Sequence, residues 1–105
     1  MTITEDYTND LLKISVTERD YHFQVNWQGK SIDRKPSVFI TPILIKVLKK
    51  SMDRGKRMIL DFREIEYMNS STITPIIKIL ERAKRGKAGV TVKYLDSLKW
   101  QQLIF

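Results

Sequence analysis

The hydrophobic residues of this chain switch between two periods, and that switch limits the fold before any other property is considered. Between Leu12 and Val16 apolar residues alternate with Lys13, Ser15 and Thr17, and from Tyr21 to Trp27 they alternate with His22, Gln24 and Asn26. A period of two is the mark of a half-buried strand. The short "RD" between the two runs joins them as an antiparallel hairpin. From Val38 to Met52 the period lengthens. Ile40, Ile43, Leu44, Val47 and Leu48 then form one helical stripe, with Lys46, Lys49 and Lys50 on its wet side and Gly55 at its end.

The rest of the chain repeats that change. "RMILDF" is a short apolar run between charges, which predicts a strand of a parallel sheet covered on both faces. Ile73, Ile76, Ile77 and Leu80 mark a second helix over 73–85, closed by "RGKAG", and "VTVKYL" is a further strand. In "DSLKWQQLIF", Asp96 or Ser97 caps a short final helix. Residues 1–10 show no such pattern and read as a loose tail ahead of a single domain over 11–105. The expected fold is α/β, in the order β-β-α-β-α-β-α. Right-handed crossovers would give a mostly parallel four-stranded sheet with helices packed against it.

Composition excludes several classes of chemistry. The 105 residues include no cysteine and one histidine, His22, so neither a thiolate site nor a His-rich metal site can form. No cofactor or metal ligand set is recognisable. His22 alternates with Gln24 and Asn26 on a strand, Asp61 and Glu66 do not make an acid/base pair, and Trp27, Trp100 and Phe105 read as core or edge aromatics. The reading is therefore non-enzymatic, with no small-molecule substrate. No segment reaches the ~20 apolar residues that span a bilayer, and the acidic start is unlike a signal peptide, so a cytoplasmic location is expected.

The net charge of +7 is unevenly spread: residues 1–33 hold three basic and six acidic side chains, and residues 34–105 hold sixteen and six. Two readings stand beside each other. The cations of "KVLKKSMDRGKR" and "KRGKAGVTVK" either line the solvent faces of helices or meet a nucleic acid or an anionic membrane.

In an open α/β sheet, functional groups gather where strand C-termini meet helix N-termini. Two such junctions exist. One is the "GKSIDRKP" loop, with Ser31 and Asp33; the other is "YMNSST", with Asn69, Ser70, Ser71 and Thr72. Ser, Thr and Asn are favoured N-caps, so a structural explanation is always at hand. Pro75 lacks an N–H and is tolerated best near a helix start, which places the cap at Thr72 or Ser71 and leaves Ser70 just outside the helix. A phosphate there would meet unpaired N–H groups and the positive end of the helix dipole.

The segments "VNWQGKSID", "MILDFREIEYMNSSTITPI" and "VTVKYLDSLKWQQLIF", in this order, resemble a STAS domain of the bacterial anti-sigma factor antagonist group, over roughly residues 11 to 105. The resemblance implies a partner-switching module. Its serine at the junction, Ser70 here with Ser71 beside it, would be phosphorylated by an anti-sigma-type serine kinase and restored by a PP2C-type phosphatase. Asn69, Ser70, Ser71, Thr72, Ser31 and Asp33 would be the partner-binding positions. Asn69 stands where the family carries Asp, and Thr72 where it carries Gly. A docking domain that works without phosphorylation is the alternative.

Overall fold

A computed structural model describes residues 3–95. Its elements are β1 (Ile3–Asn9), β2 (Leu12–Glu18), β3 (His22–Ser31), α1 (Ser37–Asp53), β4 (Arg57–Met68), α2 (Ser70–Arg85) and β5 (Val90–Lys93). The strands form one five-stranded sheet in the order β1-β2-β3-β4-β5. The pairs β1/β2 and β2/β3 are antiparallel, and β3/β4 and β4/β5 are parallel.

This corrects the expected fold. The sheet is mixed and five-stranded rather than mostly parallel and four-stranded, and its first strand comes from the segment read as a tail. "ITEDYTN" carries no apolar alternation because it packs little: only Tyr7 and Asn9 are partly buried. Backbone pairing with β2 defines it instead, in register from Ile3 opposite Glu18 to Asn9 opposite Leu12. Side chains reinforce the pairing. Thr4 and Thr17 share a hydroxyl hydrogen bond of 2.9 Å, and Glu5 is bridged by Lys46 and Lys50 of α1 at 3.3 and 3.8 Å. The expected final helix over 96–105 lies outside the described residues.

The hairpin and both helices were legible, with shifted ends. Leu12, Ile14 and Val16 of β2, and Phe23, Val25 and Trp27 of β3, share one core with Met58, Leu60 and Phe62 of β4 and the inner stripes of α1 and α2. At its centre Trp27 and Phe62 are fully buried, their ring centroids 5.0 Å apart at 47°. Such a tilted pair adds about 0.5–1.5 kcal/mol beyond its area. Both helices cover this one face, side by side. The other face carries polar groups, including Gln24, Asn26 and Asp61, so β4 is covered on one face by the described elements and not on two.

On that polar face Asp61 is 6% exposed and takes a fork from Arg63, at 2.7 Å from Nη2 and 3.0 Å from Nε. Gln24 donates to it as well, at 3.0 Å. Burial works to raise the Asp61 pKa, but the hydrogen bonds from Arg63 and the charges of Arg63 and Lys93 outweigh it and hold the carboxyl below its ordinary value.

Gly29 shapes the end of β3 that carries the site. Its φ is +88°, and a Cβ there would lie 2.0 Å from the Leu11 carbonyl oxygen. Only glycine accepts both conditions. The register with β4 shifts at this point, so that Lys30 and Ser31 pair with Tyr67 and Met68. β4 runs on well past "RMILDF" to meet them.

Candidate functional site

The site is the junction where β3 and β4 end and α2 begins. Asn69 leaves β4 in an extended conformation (φ −78°, ψ 168°) and caps α2. Its Oδ1 accepts from the Thr72 N–H at 3.0 Å and from the Thr72 hydroxyl at 2.7 Å, and its Nδ2 donates to the Asp33 carbonyl at 2.8 Å. Its backbone N–H donates to the Ser31 carbonyl at 2.9 Å. The side chain of an Asp could accept as well but could not donate to Asp33. This gives the amide at position 69 a structural reason.

Thr72 and Ser31 complete the junction. Their hydroxyl oxygens are 2.7 Å apart, and the residues are 0% and 2% exposed. The single Thr72 hydroxyl proton goes to Asn69, so Ser31 is the donor in this pair. Asp33 is held from its other side: Asn9 donates to its Oδ2 at 3.2 Å and the Lys35 N–H to its Oδ1 at 3.0 Å. The β3–α1 loop, the β1–β2 turn and the start of α2 are thus tied through a few polar side chains.

The expected capping therefore changes. Asn69, not Thr72 or Ser71, is the N-cap, and Ser70 is the first residue of the helix rather than a position outside it. Pro75 lies inside the helix, in its second turn, and its missing N–H leaves the Ser71 carbonyl without its usual partner. Ser71 is exposed, so water can meet that carbonyl. The proline misled because its preference for a helix start is statistical, whereas the geometry of Asn69 fixes the first turn.

The six predicted positions now divide. Ser31 and Thr72 are buried and hydrogen-bonded to each other, which holds the junction together. Asn69 and Asp33 are partly buried and do the same. Ser70 and Ser71 are exposed, and among the described residues no side-chain hydrogen bond engages their hydroxyls. Exposed apolar side chains that carry no pattern in the sequence lie at the same end of the sheet: Ile32 after β3 at 51%, Tyr67 near the end of β4 at 48% and Val38 at the start of α1 at 75% exposure. Their signal was available, since Ile32 and Val38 flank a polar loop with no apolar neighbour in register. The first turn of α2 holds no acidic residue. Its dipole is therefore not met by any carboxylate of its own.

The remaining sequence candidates lie elsewhere. His22 is half-buried at the start of β3, where its carbonyl accepts from the Arg19 N–H at 2.8 Å. Glu66 is exposed on β4, and Asp61 is engaged on the polar face. Among the described residues no cluster of three or more His, Cys, Asp and Glu could hold a metal ion. No described helix is long and apolar enough to cross a membrane.

Much of the basic run is neutralised in space. Glu5 takes Lys46 and Lys50; Glu18 takes Arg54 and, at 2.8 Å, Lys56. The hydrogen bonds from Arg54 and Lys56 lower the Glu18 pKa from the ordinary 4.5 to about 2. Arg57 donates to the Thr91 hydroxyl at 2.8 Å. The acidic N-terminal third and the basic α1 region, distant in sequence, thus meet in space, two carboxylates facing four cations.

The chain matches no protein-family model and no curated protein.

Proposed function

We propose that the chain is a non-enzymatic, STAS-like partner-switching module of the cytoplasm, controlled by reversible phosphorylation of Ser70, with Ser71 as the second acceptor. One observation carries this reading. Capping and burial are done by Asn69 and Thr72, while two adjacent serines stand exposed on the first turn of a helix that has no acidic residue there. A phosphate at that point gains the helix N–H groups and the dipole, typically about 0.3–1 kcal/mol. It also adds roughly 1.5–2 negative charges at the end of the sheet where Ile32 and Tyr67 are exposed. An apolar contact surface would thereby become a charged one, which is how a partner would be released.

The implied partners are an anti-sigma-type serine kinase and a PP2C-type phosphatase. The test is phosphopeptide mapping after incubation with such a kinase, paired with binding of the kinase by Ser70→Ala and Ser70→Asp. Modification at Ser70, with binding kept by the alanine variant and lost by the aspartate variant, supports the switch. An unmodified junction with both variants binding equally rejects it.

That second outcome is what the alternative requires: docking through the same surface without phosphorylation. The rigid tie from Asn69 to Asp33 favours it, since the surface is already fixed in one shape. A nucleic-acid or membrane partner bound through the first basic run is disfavoured by the pairing of Lys46, Lys50, Arg54 and Lys56 with Glu5 and Glu18.

A further inference from the structure

Part of the positive charge that no acid meets lies on α2. This helix carries Lys78, Arg82, Lys84 and Arg85 against one acid, Glu81, and none of the five forms an ion pair among the described residues. α1 differs, because Glu5 of β1 meets two of its three cations, Lys46 and Lys50. Between the two helices, on the side away from the sheet, runs a groove of about 350 Å³. Leu44 and Ile45 of α1 and Pro75 and Ile79 of α2 form its floor, and Lys78, Arg82 and Arg85 stand along its α2 wall with Glu81. An apolar floor beneath a cationic wall is a feature that solvation alone does not require.

We infer that this groove docks an amphipathic helix of a partner protein, apolar on the side that enters and acidic along the flank that faces α2. A groove between two helices receives apolar anchors spaced i, i+3, i+4 and i+7 from a third helix. The acidic flank is demanded by the unpaired cations, which would steer such a helix and set its orientation. Other occupants fit less well. Among the described residues no aromatic ring lines the groove to stack on a base. Residues 96–105 hold one acid and one base, Asp96 and Lys99, and would not neutralise the wall. In a second copy of the chain, Glu5 and Glu18 are already paired, and self-association would show as a concentration-dependent change of the groove methyls without peptide, which would overturn the inference. The inference goes beyond the switch at Ser70 and does not depend on it.

The experiment uses the full chain with labelled isoleucine and leucine methyl groups and a synthetic amphipathic helix that has a leucine stripe and glutamates beside it. A peptide with lysines in place of the glutamates, a single-stranded oligonucleotide and phosphatidylserine vesicles are the comparators. The acidic peptide should shift the methyl signals of Leu44, Ile45 and Ile79, and binding should weaken with salt. Arg82→Glu with Arg85→Glu, both exposed, should weaken it by about tenfold or more and transfer the preference to the lysine peptide. Ser70→Asp should leave it unchanged, which separates failure here from failure of the switch. Unmoved groove methyls, equal binding of both peptides, or a charge-sensitive response to oligonucleotide or vesicles without one to the acidic peptide would each overturn the inference.

Discussion

The two helices begin in opposite ways although both follow parallel strands and both contain a proline in the second turn, Pro42 in α1 and Pro75 in α2. α1 starts after Pro36, which has a helical conformation and offers no side-chain cap. α2 starts after Asn69, whose amide binds Thr72 forward and Asp33 sideways. One helix is held by its inner stripe and by ion pairs along its length, with Arg54 just beyond its last residue. The other is fixed at its first turn. A fixed first turn is what presents Ser70 and Ser71 in a constant direction, so the contrast separates a supporting helix from a displaying one.

The strongest way to break the contrast is to remove the cap. Asn69→Ala leaves the Thr72 N–H, the Thr72 hydroxyl and the Asp33 carbonyl without this partner in a partly buried place. We expect a loss of about 2–3 kcal/mol in denaturant unfolding. Pro36→Ala, which removes no side-chain cap but thins a buried site and frees the unfolded chain, should cost less, about 1 kcal/mol. Equal losses at the two positions would show that the junctions are alike.

Thr72→Val keeps the shape but removes the hydroxyl, so Ser31 loses its acceptor. About 1–3 kcal/mol should follow, and less if Ser31 turns to another partner. Acid probes the other helix. The Glu18 pKa is lowered on folding, so its contribution is present above the ordinary 4.5 and disappears as the pH falls towards about 2. The wild-type unfolding midpoint should drop across that window, and Glu18→Gln should flatten the drop. The smallest effect is expected at the displayed residue itself: Ser70→Ala should change stability by less than about 0.5 kcal/mol. A larger loss would mean that the hydroxyl has a structural duty.

How far the sequence led can be traced residue by residue. β2, β3 and the inner faces of both helices were legible because burial imposes a period, and Trp27 or Ile76 can satisfy it in only one register. β1 was not, since a strand that buries few side chains writes no period; its information lies in backbone pairing and in Glu5, whose partners are some forty residues away. The run 69–72 was recognised as a junction, but its duties were misassigned. Four small polar residues look alike in sequence, and only the position of the Asp33 carbonyl makes Asn69 the one that both accepts and donates. Ser31 was placed at the right junction for a related reason and proved to be buried there.

β1 has a further consequence. Residues 1–10 carry three acids and no base, so a cut in the turn at Asp10 and Leu11 would take the remaining chain from a net charge of +7 to +10. It would also uncover the β2 edge and free Lys46 and Lys50 together. The first strand therefore acts as a removable counter-charge. A clipped chain should bind a cation exchanger more tightly than the intact one, and unchanged elution would show that these acids shield nothing.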